Sequence, residues 1–364
     1  AERIITRCCE PGASGPARRA ACPPGSYARY PMPLDESRMP PSTHIVSMQH
    51  AFHKLPDGRQ MYFHQIYPAC TPCGIMVFIH GYGDHIDFQL RSTAETYVER
   101  VGCAAVMADM PGHGRSDGMS AQITSFAGLM DDMEHFLDAV VPKVREHITE
   151  TVPGAPKHLP VIAYGASMGG ATAIHLCLRK RTRFDGILLV APMVKIADHV
   201  RPHPAVESVL RNVVVRVPLV RDFPIIPRED FDEVIFAESR KDLLRIFLEN
   251  NPLGYHGGTR LRTALSLLEA CDTVSEHMES LETPFLAMHG GGDLTTAPEL
   301  TEELGRRAGS KDKEVVIFDG ARHGLDFGER AEVMEAVFQK AIAWVSERMH
   351  ASLSEDAAKR QPAA

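Results

Sequence analysis

The sequence predicts an α/β fold: a mostly parallel central sheet flanked by helices, with a helical cap inserted between the sixth and seventh strands. Three features predict it. Near-continuous apolar runs occur at 75–79, 104–108, 160–164, 186–190, 284–288 and 314–318, the pattern of strands buried on both faces. The segments between them carry helical spacing, as at 125–148 and 169–179, and such alternation implies right-handed crossovers in one sheet. A single long stretch, 194–282, breaks the alternation.

Taken in order, residues 1–43 are rich in Pro, Gly, Ala and Arg and lack apolar periodicity, which predicts a disordered or loosely attached tail. Residues 44–52 and 60–67 flank the turn Leu55-Pro56-Asp57-Gly58 and predict a hairpin. The core is expected over 44–193 and 283–350. The Pro-punctuated stretch 194–282 is too long for a simple crossover and is expected to fold as a cap over the sheet's end. Residues 351–364 are expected as a flexible C-terminal tail.

Composition narrows the function classes. Acidic residues outnumber basic ones, 47 to 39, for a net charge of −8. That balance argues against a nucleic-acid partner, which requires a concentrated basic face. No apolar run reaches the roughly 18 residues of a membrane span. The first residues lack the apolar segment of a secretory signal, so a cytoplasmic location is expected. Among eight cysteines only Cys70 and Cys73 form a CxxC pair. No second pair or closely spaced histidines accompany it, and it precedes a strand, so neither metal nor redox cofactor is expected.

The chemistry concentrates in Gly165-Ala166-Ser167-Met168-Gly169-Gly170. This G-x-S-x-G follows an apolar run and opens a helical segment, the context of a nucleophile held on a sharp strand-to-helix turn. The glycines are needed because side chains beside that turn would meet backbone. A serine hydroxyl needs a base, and the base needs a carboxylate that fixes its tautomer. On this architecture the order is Ser, acid, His. Asp293, in His289-Gly290-Gly291-Gly292-Asp293, and His323, in Gly320-Ala321-Arg322-His323-Gly324, satisfy it. Both follow strands at their carboxyl ends, where open α/β sheets place their sites.

Acyl transfer also needs donors for the oxyanion. The amide of Met168 is one candidate. The amide of Tyr82 is the other, in the loop His80-Gly81-Tyr82-Gly83-Asp84-His85. The loop 109–118, Asp109-Met110-Pro111-Gly112-His113-Gly114-Arg115-Ser116-Asp117-Gly118, is assigned structural work. Asp109 is a second candidate acid, but it precedes the serine.

At these residues the chain resembles the monoacylglycerol lipase family, with its plant esterase and lysophospholipase-like relatives, all of the α/β-hydrolase fold. The matching pieces are the HGxGxH of residues 80–85, the DxxGxGxSxG of 109–118, the GxSMGG at Ser167, Asp293, the His-Gly at 323, and Asn251-Pro252-Leu253 with Tyr255-His256-Gly257. The resemblance implies hydrolysis of carboxylic esters without metal or organic cofactor, and substrate contacts from His80, Gly81, Asp84 and His85. The chain departs from the animal lipases at Asp84, where they have Glu, and at Asp326, where they have a second His. It also carries Tyr82 where a small residue is usual, and Ala166 where His or Glu is common. Monoacylglycerol is the expected substrate, with lysophospholipid or a small ester as alternatives and a non-catalytic binding role a further one. Residues 209–226 are apolar and carry Arg211, Arg216 and Arg221. They suit either a packed cap or peripheral contact with a membrane.

Overall fold

The structure, a computed structural model, describes residues 45–156, 158–195, 201–226, 235–242, 245 and 251–359. The expected tail 1–43 and residues 360–364 lie outside the described residues. The strands are β1 Ile45–Lys54, β2 Gln60–Pro68, β3 Ile75–Ile79, β4 Ala104–Ala108, β5 Val161–Ala166, β6 Gly186–Val190, β7 Pro224–Ile226, β8 Thr259–Arg260, β9 Phe285–Gly290 and β10 Lys313–Phe318. Eight of them form one sheet in the order β1-β2-β4-β3-β5-β6-β9-β10. The first two make the expected antiparallel hairpin, with Gly58 at φ +94° in its turn. The pairs from β4 across to β10 are all parallel. Every residue of β3, β4 and β6 is buried, as continuous apolar runs require in a sheet covered on both faces.

The chain leaves β3 for β4 on one side and returns to β5 on the other. The carboxyl ends of β3 and β5 therefore meet at a topological switch point, where open α/β sheets leave a crevice. The covering helices are α1 Arg91–Val101, α2 Phe126–Thr151, α3 Met168–Arg179, α4 Pro204–Asn212, α5 Leu261–His277, α6 Pro298–Arg307 and α7 Ala331–Lys359. The Ser125 hydroxyl caps α2 by accepting from Gly128 N at 3.2 Å, a contact that typically contributes about 1 kcal/mol. That helix buries Phe126, Met130, Met133, Phe136, Leu137, Val140 and Val144 against the sheet, the 3.6-residue stripe seen in its sequence.

Two expectations change. The insertion is not purely helical, because β7 and β8 pair antiparallel within it. Its last helix, α5, also serves two layers. Leu261, Leu265 and Leu268 pack with Leu210, Val214, Val215 and Val220 of the insertion, while Ala270, Val274 and Met278 join the main core. At the C-terminus, helix α7 runs on to Lys359, where a flexible tail from 351 is expected. The Ala, Leu, Glu and Lys of that stretch are good helix formers.

Candidate active site

Ser167 stands between β5 and α3 with φ +52° and ψ −118°, a strained conformation for a residue with a side chain. Packing enforces the strain. A Cβ on Gly165 would lie 2.4 Å from Gly169 O, and one on Gly169 would lie 2.1 Å from Ile79 O. Only glycine fits at both positions. Ser167 N donates to Val190 O at 3.0 Å, and Ser167 O accepts from Gly170 N and Met193 N, each at 2.9 Å. The turn is thus tied to β6 as well as to its own helix. Met168 is the first residue of α3, so its amide has no acceptor within the helix.

The candidate acid and base come from the loops after β9 and β10. Glycine brings these loops together: a Cβ on Gly290 would lie 2.3 Å from Ala321 O, and Gly292 N donates to Ala321 O at 2.9 Å. That approach sets Asp293 beside His323, whose Nδ1–H donates to Asp293 Oδ2 at 2.6 Å. With the proton held on Nδ1, the Nε2 lone pair is left for a serine proton.

Asp293 is held by further donors that the sequence reading did not assign. Thr295 N and Thr296 N donate to its Oδ1 at 2.7 and 3.1 Å. Thr296 Oγ1 and His289 Nε2 reach Oδ2 at 2.9 and 3.0 Å. His289 is fully buried, and its Nδ1 accepts from the Thr301 hydroxyl at 2.7 Å. Burial alone would raise the Asp293 pKa, but the bonds from His289 and His323 outweigh it and hold the carboxyl well below the usual carboxylate range. The acid stays ionised, as a partner to an imidazolium must. The signal in the sequence was the pair Thr295-Thr296 just after Asp293, since an Asp in a turn collects the amides that follow it.

The loop after β3 passes beside Ser167: a Cβ on Gly81 would lie 3.5 Å from Ser167 Cβ. Gly81, Tyr82, Ser167, His323, Asp84 and Asp326 line one open cavity of about 210 Å³. Phe88, Val190, Ile235, Phe236 and Phe327 supply much of its apolar wall. Two residues expected to contact substrate, His80 and His85, do not line it. His80 is buried behind the loop, where Nε2 accepts from Met110 N at 2.9 Å and Nδ1–H donates to Gly81 O at 2.7 Å. His85 is equally buried, donating to Asn251 Oδ1 at 2.8 Å. Burial carries the His80 pKa well below its ordinary value and that of His85 down to about 4, so both rings are neutral. Each is spent on backbone or amide partners because no water reaches it.

Gly81 and Asp84, the other two, do face the cavity. Burial, opposed by the His85 amide but reinforced by neighbouring Asp326, pushes the Asp84 carboxyl up to about 7. Asp326 is raised as well by burial, although Tyr164 O–H donates to it at 2.5 Å. Asp109 takes the structural role: its carboxylate accepts from Ile86 N and Arg115 N at 2.8 and 2.7 Å, joining the loops after β3 and β4. In the CxxC pair Cys70 is exposed and Cys73 buried, and burial pushes the Cys73 thiol up to about 12. Among the described residues no group of three or more His, Cys, Asp or Glu side chains could hold a metal ion.

Against known proteins, the chain is 25% identical over 293 residues to a monoglyceride lipase of Rattus norvegicus, covering 80% of this chain and 89% of that one. It is 27% identical over 278 residues to a caffeoylshikimate esterase of Arabidopsis thaliana, covering 76% and 78%. Among solved structures, a soluble variant of monoglyceride lipase from Saccharomyces cerevisiae superposes with a TM-score of 0.67 at 20% identity, covering 85% of this chain and 98% of that one. That likeness establishes the α/β-hydrolase fold. The family model described as "Serine aminopeptidase, S33" matches residues 71–330. This span is most of the chain and encloses the serine, the acid and the histidine, so the protein belongs to the serine aminopeptidase S33 family.

Proposed function

We propose that the protein is a serine hydrolase that cleaves carboxylic esters of lipids, monoacylglycerol first among them, through an acyl-enzyme on Ser167. One observation carries the reading. A serine on a strained turn and a histidine held by an ionised aspartate share a cavity whose wall is largely apolar. His323 Nε2 takes the Ser167 proton as the hydroxyl attacks the ester carbonyl. The oxyanion forms against the amides of Met168 and Tyr82. His323 then protonates the departing alcohol, and later draws a proton from the water that releases the fatty acid.

The similarity to monoglyceride lipases supports the substrate class. Asp84 and Asp326 in the cavity favour a neutral polyol over the phosphate of a lysophospholipid, since carboxyls exchange hydrogen bonds with hydroxyls and burial there disfavours a further charge. The test is a panel of monoacylglycerols, lysophosphatidylcholine and p-nitrophenyl esters, with Ser167→Ala as control. Monoacylglycerols should give the highest kcat/KM, and the serine variant should lose all hydrolysis. Faster turnover of lysophosphatidylcholine would refute the preference, and a fully active Ser167→Ala would refute the mechanism.

The insertion supports a peripheral lipid contact. Val206, Val209, Val213, Val217 and Phe223 are about half exposed or more, whereas Leu210 and Val214 pack inward on α5. Exposed apolar side chains on a short helix and the segment after it suit the surface of a bilayer. No described helix is long and apolar enough to cross one. Val209→Ser with Phe223→Ser should weaken binding to phosphatidylcholine vesicles and leave hydrolysis of p-nitrophenyl butyrate unchanged. Undiminished vesicle binding would remove the contact.

A further inference from the structure

The loop that carries the Tyr82 amide is fastened at the carbonyls of both neighbouring residues, Gly81 and Gly83. Gly81 O accepts from His80 Nδ1–H at 2.7 Å. Gly83 O accepts from Tyr255 N at 2.8 Å. The second bond comes from within the insertion, far along the chain. There the Tyr255 Cβ lies 3.4 Å from where a Cβ on Gly83 would stand, so the two backbones touch.

A second link runs in parallel. Asp87 N donates to His85 Nδ1 at 3.2 Å, which leaves the ring proton on Nε2. That N–H donates to Asn251 Oδ1 at 2.8 Å. Asn251 and His85 are 4% and 1% exposed, so neither can exchange its partner for water without opening the site. Segment 251–256 is closed on itself: Asn251 O accepts from His256 Nε2 at 2.8 Å and from Gly254 N at 3.3 Å. Gly254 has no room for a side chain, since a Cβ would lie 2.9 Å from Asn251 Nδ2.

We propose that residues 251–256 form a latch from the insertion onto the oxyanion loop, with Asn251 and His85 as positioning residues for the Tyr82 amide. The Tyr82 N–H shares its peptide plane with the Gly81 carbonyl, and with that carbonyl and Gly83 O both held, the N–H is restrained from swinging away from Ser167. A displaced insertion would therefore misalign the oxyanion donor. The inference rests on the proposed serine mechanism, and Ser167→Ala separates the two: activity remaining in that variant sinks the mechanism, whereas its loss leaves the latch to be judged alone.

The experiment pairs Asn251→Leu, which keeps the volume and removes the acceptor, with Asn251→Asp, which keeps an oxygen for His85. Losing an oxyanion donor outright typically costs about 10²–10³ in kcat, so a donor left loose should cost about 10- to 100-fold. Asn251→Leu should lower kcat for p-nitrophenyl butyrate by that amount with KM nearly constant. It should also weaken inhibition by a phenylboronic acid, whose tetrahedral adduct needs the oxyanion donors. Asn251→Asp should restore most of both. An unchanged kcat, or a loss confined to KM with boronate inhibition intact, overturns the latch. If Asn251→Leu fails to fold, His85→Leu against His85→Gln reads the same link. Glutamine keeps a donor toward Asn251, so equal kcat in those two variants overturns it as well.

Discussion

Two sets of carboxyl groups around the site are treated in opposite ways. Behind His323, Asp293 collects bonds from two histidine rings, two amides and a hydroxyl, and it is held ionised despite burial. In the cavity wall, Asp84 and Asp326 sit near one another, and burial drives both toward the protonated form. Burial is common to both sets; the number of donors differs. Donors decide where the protein keeps negative charge. Charge is fixed where an imidazolium must form and suppressed where a neutral substrate must enter.

This contrast can be broken by substitution. The largest effect is expected for Asp293→Asn, which removes the charge and favours the wrong histidine tautomer. By analogy with serine protease triads kcat should fall about 10⁴-fold, with KM little changed in steady-state assays. A loss below tenfold would show that His323 is oriented by something else. His289→Phe keeps the ring volume and deletes one donor to the acid. A hydrogen bond to a charged group contributes about 1.5–3 kcal/mol, so kcat should fall about 10- to 100-fold and the acidic limb of the pH–rate profile should move upward. A profile identical to the parent's would place His289 outside the acid's support.

The smallest effect belongs to the other set. Because the folded-state pKa of Asp84 is raised to about 7, the native state binds its proton more tightly than the unfolded chain does. That contribution is fully present below the unfolded pKa and is lost as pH rises through about 7. Asp84→Asn should therefore raise the melting midpoint by a few degrees at about pH 8 and leave it nearly unchanged at about pH 4. A lower midpoint at about pH 8 would mean that Asp84 is stabilised as an anion.

Much of this site was legible before any coordinates. Continuous apolar runs located the sheet from β3 onward, and the glycines around Ser167 announced a turn that only glycine can flank. Chain order singled out Asp293 and His323 as the candidate acid and base, because the mechanism dictates that order, and the structure sets the two side by side. Harder to read were groups whose partners are backbone atoms far along the chain. His80 and His85 look like cavity residues in a histidine-glycine motif, yet they bond Gly81, Met110 and Asn251 behind the loop. Nothing in local pattern gives such pairings. The two-stranded ribbon β7–β8 is too short for a periodicity to show. Helix α5 has apolar residues facing two layers, so it reads as cap or core with equal ease.

The central claim is that Ser167 is the nucleophile, activated by His323. Peptide mass mapping after reaction with a fluorophosphonate tests it most directly. The account predicts one phosphonyl group, on the peptide that carries Ser167, with labelling slowed by orders of magnitude in His323→Ala. An adduct on any other residue, or labelling of His323→Ala at the parent rate, would contradict it.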